Sequence, residues 1–209
     1  MLGWALLVGA FLFGGTGDTH VLNVPYRNQL DGSPYALANC GPTALSMAFA
    51  YYGIDASPWD LRVRSMKVQH SWVTDEGGYS DWYGVFVYNL ASVAEQFGLH
   101  ANGIWNRDGG RTDQLHQWQA SELRRELNAD HPVIVQVLYR ALPAHARSVS
   151  LDDHYVVLRG SLGTDFVYSD PLGIGDIGAD QHISEDELLE AMARSSTPRA
   201  AFAVVRPPD

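Results

Sequence analysis

One cysteine, one lysine and a low density of charge mark this sequence by what it goes without. With Cys40 as the sole cysteine, no internal disulfide can form, and a zinc site built from several thiolates is excluded. Lys67 is the only lysine, and no Lys/Arg run offers a footprint for phosphates. The formal net charge of −10 and sequence pI of about 5.1 point the same way, so nucleic acid is not an expected partner. There are no internal repeats and no low-complexity linker. What is present is 209 residues, 46% hydrophobic and 18% charged, a composition that suits one globular domain with a substantial core.

Long apolar runs are also missing. Met1 to Phe13 is nearly all apolar but breaks at Gly14-Gly15, short of the roughly 20 residues that span a bilayer. The run is similar to the core of a secretory signal, without a positively charged leading region or a clean small-x-small cleavage site. Two readings stand: residues 1–17 are a signal peptide or anchor remnant, or they hold an ordinary first strand. The first is the working expectation. It makes the protein exported or cell-surface, with residues 18–209 as a single domain and a cytoplasmic location as the alternative.

Val21 to Tyr26 alternates like a short strand ending at Pro25, and residues 28–39 form a loop rich in Asp, Gly, Ser, Pro and Asn. A helix is expected from Cys40 to Tyr52, with Pro42 in its first turn, Gly53 past its end, and Leu45, Ala48, Phe49 and Tyr52 on one face. Ser57 and Pro58 predict an N-cap and first helical residue for a second helix, running to Met66. Further helices are expected over Val85–Phe97, Ala120–Asn128 and Ser184–Arg194, the last with Ser184 and Glu187 spaced as a capping box. Strands are expected at Pro132–Leu138, His154–Leu158, Phe166–Ser169 and Ala201–Val205. The middle two should pair antiparallel through a turn at Arg159–Gly163. Helices first and a strand cluster last make the fold class α+β.

The chemistry starts from Cys40. A helix N-terminus favours the thiolate through its free N–H groups and partial positive charge, and Cys40 opens the first long helix. The bland alternative is a buried, inert thiol. Among eight histidines, His154 opens a strand directly after a Ser/Asp-rich loop and is placed to face a cleft, whereas nothing marks His145 or His131 as partners of a thiol. A third group should orient the imidazole. Asp170 ends the next strand, although an Asp before Pro171 is also an ordinary turn starter. Trp72, Trp82, Tyr79 and Tyr83, in a Gly-rich loop, are candidates either for a substrate cleft wall or for loop and core filling. A metal cluster from Asp152, Asp153, His154 and His145 is a weak further reading, because no helical His-x-x-x-His spacing supports it. No cofactor is expected.

The segments Val24-Pro25-Tyr26-Arg27-Asn28-Gln29 and Asn39-Cys40-Gly41-Pro42-Thr43-Ala44-Leu45-Ser46-Met47, followed by His154-Tyr155-Val156-Val157-Leu158 and Tyr168-Ser169-Asp170-Pro171, resemble the bacteriocin-processing (double-glycine leader) peptidases and their wider relatives. These belong to the papain-like cysteine peptidase superfamily, and the likeness runs from Val21 to the C-terminus. The resemblance implies a nucleophile helix packed on a C-terminal antiparallel sheet, with Cys40 as nucleophile, His154 as general base and Asp170 as the orienting carboxylate. Gln29 takes the place of the family's oxyanion-hole glutamine, with Asn28 as its rival. Eleven positions separate Gln29 from Cys40, more than in the bacteriocin-processing members. No transporter is encoded in this chain, so double-glycine specificity is not carried over; a peptide or protein substrate is.

Three functions compete on this reading. The first is a cysteine peptidase working through an acyl-enzyme. The second is a catalytically silent exported binding or scaffold module of the same fold. The third is an acyltransferase using the same residues.

Overall fold

The computed structural model describes residues 19–33, 35–69, 84–106, 114–173 and 175–208. Trp72, Tyr79, Trp82 and Tyr83 lie outside these, as does the N-terminal apolar segment. The elements run β1 (His20–Val21), α1 (Cys40–Tyr51), α2 (Pro58–Gln69), α3 (Val87–Gln96), β2 (His100–Asn102), α4 (Ala120–Asn128), β3 (Val133–Leu138), β4 (Asp153–Leu162), β5 (Asp165–Ser169), β6 (Gln181–Ser184), α5 (Glu185–Ala193) and β7 (Ala201–Val205). The strands form one seven-stranded sheet in the order β2-β7-β3-β4-β5-β6, with β1 paired to β4. Among the described residues these strand pairings are all antiparallel. Helices packed on an antiparallel sheet make this an α+β fold.

The helices begin where local chemistry says they should. Ser57 Oγ accepts from the Asp60 backbone N–H at 3.1 Å and caps α2. At α5, Ser184 and Glu187 each bond the other's backbone N–H, completing the expected capping box. Helix α1 is more deeply placed than a one-face pattern suggests: residues Cys40 to Phe49 are all buried, because β4 lies on one side and α2 and α3 pack against the others. In β3 all six residues are buried, as expected of an unbroken β-branched run covered on both faces.

Two expectations need correction. Val21–Tyr26 alternates in burial, with Leu22 and Val24 inside, but only His20–Val21 joins a ladder. The chain leaves the sheet after Leu22: Pro25 has no N–H to give a ladder, and the Tyr26 hydroxyl and Gln29 N–H instead bond the carbonyls of Asp170 and Pro171. The second is the β4–β5 turn. Strand β4 continues through Gly160 to Leu162, and the reversal falls at Gly163-Thr164. Gly160 serves close approach instead of turning, since a Cβ there would lie 2.2 Å from the His20 carbonyl oxygen of β1. Strands β2 and β6 had no sequence signal; each is short and sits at a sheet edge.

Candidate active site

Cys40 is the first residue of α1 and is 8% exposed. The chain leading into it is clamped by Arg62 of α2, a buried guanidinium that donates to the Ala38 carbonyl at 3.1 Å and to Asn39 Oδ1 at 3.2 Å, and lies 5.0 Å from the Tyr35 ring centroid. At the other side of the thiol, Gly41 lets α1 settle on the sheet. A Cβ at this position would stand 2.8 Å from Leu90 Cδ1 and 3.1 Å from Tyr155 Cδ2. Tyr155 follows His154 on β4, so this close approach brings the start of α1 to the stretch of β4 that carries His154. The Tyr155 hydroxyl is itself fixed, donating to the Val85 carbonyl at 2.9 Å and lying 3.0 Å from Gln136 Oε1.

His154, 2% exposed, is the second residue of β4, and Asp170, 1% exposed, follows β5. The ladder pairs Val157 with Ser169. Extending it by one residue sets Asp170 against Val156, two positions from His154 and on the same face of the sheet. His154 Nε2 donates to Asp170 Oδ1 at 2.8 Å. Cys40 also acts on the titration of this ring. Burial alone would lower the His154 pKa, but the hydrogen bond to Asp170 and the electrostatic influence of Cys40 and Asp170 outweigh it and raise the value to about 9. Burial pushes the Asp170 pKa up, yet hydrogen bonds from His145 and His154, the His154 charge and the Leu172 N–H hold it well below the ordinary carboxylate range.

His145 is the residue that sequence reasoning passed over. Its Nε2 donates to Asp170 Oδ2 at 2.7 Å, and its ring stacks on Tyr139 with centroids 4.0 Å apart. It sits in a one-turn 3-10 segment, Pro143–His145, where no periodicity or spacing announces a partner 25 residues away.

Gln29 is 1% exposed, and its amide nitrogen donates to the carbonyls of Ala36 (3.0 Å) and Leu37 (3.2 Å), the 3-10 turn that precedes Cys40. Its Oε1 is buried without a partner among the described residues. Asn28 turns to the other side, its amide donating to the Gly173 carbonyl in the loop after Asp170. The four members of the metal reading disperse. His145 and His154 bind Asp170, Asp153 accepts from Gln136 Nε2 at 2.8 Å and from the Ser196 N–H at 2.9 Å, and Asp152 is capped by Ser150.

Cys40 opens onto a cleft of about 990 Å³. Residues 35–38 form one wall and residues 84–86 another, while Tyr155, Gln136, Asp152, Asp153 and Ser196 contribute the rest. The segment just before residue 84 contains the aromatics expected to wall a cleft, which lie outside the described residues.

A thiol heading a buried helix, an imidazole near the start of β4 and a carboxylate bonded to it place the chain among proteins of the papain-like peptidase fold. The chain belongs to the Peptidase_C39 like family, whose model matches residues 21–194. Among solved structures it is similar to a protein of Bacillus anthracis described as a C39-like peptidase, at 18% identity and a TM-score of 0.60, covering 92% of this chain and 100% of that one. It is also similar to the peptidase domain of Streptococcus ComA, described as a bifunctional ABC transporter involved in quorum sensing, at 17% identity and a TM-score of 0.54, covering 88% of this chain and 99% of that domain. At such identities the likeness is one of fold. No curated protein matches the sequence.

Proposed function

We propose that this protein is a cysteine peptidase that cleaves peptide bonds through an acyl-enzyme on Cys40. The observation that carries the reading is the buried His154 ring, hydrogen-bonded to Asp170, with its pKa raised to about 9 by Asp170 and the neighbouring Cys40. Such a ring is an imidazolium at neutral pH, and its natural counter-ion is the Cys40 thiolate. Because ionised Asp170 can only accept, Nε2 carries a proton and Nδ1 is the nitrogen left for the thiol.

In the proposed reaction the thiolate attacks the scissile carbonyl of a peptide lying in the cleft, and the developing oxyanion takes a hydrogen bond from the backbone N–H of Cys40. His154 gives its proton to the leaving amine as the carbon–nitrogen bond breaks. It then removes a proton from the water that attacks the thioester, which frees the acid and restores the thiol pair. Gln29 has its amide on the Ala36 and Leu37 carbonyls, so in this arrangement it shapes the turn next to Cys40. Export through the apolar N-terminal segment belongs to the same proposal, and a mature chain beginning near Asp18 in culture medium would support it.

The test is intact mass spectrometry of the protein mixed with a peptide library. A thioester adduct should accumulate on Cys40 on acid quench, with cleaved peptides in solution and neither in Cys40→Ala. The competing reading, a binding module without turnover, draws on the engaged Gln29 amide. Peptide binding with neither adduct nor product would favour it and sink the peptidase.

A further inference from the structure

We propose that His145 is a positioning residue of the reaction centre, a second imidazole that locks Asp170 from behind so that its other oxygen faces His154. The inference rests on the peptidase reading above and adds a residue to its site.

Asp170 Oδ1 already receives two donors, His154 Nε2 and the Leu172 N–H, each at 2.8 Å. Oδ2 receives His145 Nε2 at 2.7 Å. Asp170 is 1% exposed, so with a ring filling the His145 position Oδ2 has no ready solvent partner in place of that donor. Without it, a buried carboxylate oxygen stands unpaired and the group is free to turn about its terminal torsion, carrying Oδ1 away from His154. With it, both oxygens are pinned and the carboxylate has one orientation.

His145 is itself held. Its N–H bonds the Leu142 carbonyl at 2.9 Å, Leu142 is fully buried, and Pro143 stiffens the turn between them. Tyr139 stacks on the His145 ring at 4.0 Å and meets the His154 ring edge-on at 5.3 Å, bracing both imidazoles with one side chain. The titratable groups facing His145 are therefore Asp170 after β5, Tyr139 on the preceding 3-10 turn and His154 on β4, whose ring centroid is 6.3 Å away. Because ionised Asp170 only accepts, the bond requires the proton on Nε2 of His145 and leaves Nδ1 outside it.

Cys40 is the only cysteine, so the rate of alkylation by iodoacetamide reports on this site alone. The experiment measures that rate from acid to alkaline pH, together with peptide turnover, in the wild type, His145→Phe, His145→Gln and Asp170→Asn. His145→Phe keeps a flat ring against Tyr139 but removes the donor. Its acid limb should move up by roughly one pH unit, about a tenfold loss of rate on that limb, with kcat falling more than KM rises. His145→Gln, which restores an N–H, should recover most of the wild-type profile. A packing role predicts the reverse order, with Phe tolerated and Gln not.

Superimposable profiles for the wild type and His145→Phe, with Asp170→Asn displaced, would overturn the positioning role while leaving the peptidase reading intact. A wild-type profile of an ordinary thiol, unchanged by Asp170→Asn, would overturn both. If His145→Phe does not fold, nitrogen-15 spectra of the wild-type imidazoles decide. An Nε2–H tautomer of His145 at neutral pH is expected, and an Nδ1–H tautomer would refute the proposal.

Discussion

Three N–H donors converge on Asp170, and that convergence lets a carboxylate remain ionised at 1% exposure. The consequence can be read from stability against pH. The His154 pKa is raised from 6.5 to about 9, so its contribution is complete below 6.5 and is lost as pH rises through about 9. Asp170 works in the opposite sense: its contribution is present above its unfolded value of 3.8 and is lost as pH falls toward its lowered native one. Thermal melts should therefore give the highest Tm between 3.8 and 6.5 from these two groups, with a decline toward 9 that His154→Gln flattens. Under the peptidase reading, Asp170→Asn should lower kcat by roughly 10²- to 10⁴-fold, because the imidazole loses its counter-charge and one fixed orientation. Gln29→Ala leaves the Ala36 and Leu37 carbonyls without their side-chain donor. It should cost about 1–3 kcal/mol in denaturant titration, with turnover falling as the turn before Cys40 loosens.

At the scale of elements, the site depends on how closely α1 approaches β4. Gly41 sets that distance, since an added methyl would meet Leu90 and Tyr155 at 2.8 and 3.1 Å. Gly41→Ala is expected to destabilise by about 1–3 kcal/mol and to reduce kcat, because the helix must lift its first turn, with Cys40, away from the sheet. Denaturation paired with peptide turnover measures both; a variant of full stability and activity would show that Leu90 simply rotates aside. The elements themselves were largely legible. Pro58 after Ser57, the Ser184–Glu187 box and the unbroken run in β3 are signals contained within a few residues, and the structure has each of those elements. Gly160 misled because a glycine in a strand and a glycine in a turn look alike until the neighbouring strand, here β1, is in place.

The whole molecule carries a net charge of −10, and the cleft shares its sign. Its charged lining among the described residues is Asp152 and Asp153, with Asp152 exposed and Asp153 accepting hydrogen bonds from Gln136 and Ser196. Under the peptidase reading, peptides bearing Lys or Arg beside the scissile bond should be cut with higher kcat/KM than the same peptides bearing Asp or Glu. The preference should be up to about fivefold, shrink with added salt and weaken in Asp152→Asn. A comparison of matched peptide pairs at low and high salt checks it, and a preference for acidic peptides would refute it.

By itself the sequence determined the α+β class, the helix that begins at Cys40, a strand carrying His154 near its start and one that ends before Asp170. It could do so because caps, periodicity and β-branched runs act over short spans, and because a hairpin's register follows once its two strands are known. Only the tertiary structure decided how the candidate site is held. His145 reaches Asp170 across 25 residues, Tyr26 reaches the Asp170 carbonyl across 144, and Arg62 clamps the approach to Cys40 from a different helix. Gln29 was found as a residue but not as a geometry, its amide turning to the Ala36 and Leu37 carbonyls. A hydrogen bond between distant segments leaves no local trace in either, since what fixes it is the packing that brings them together.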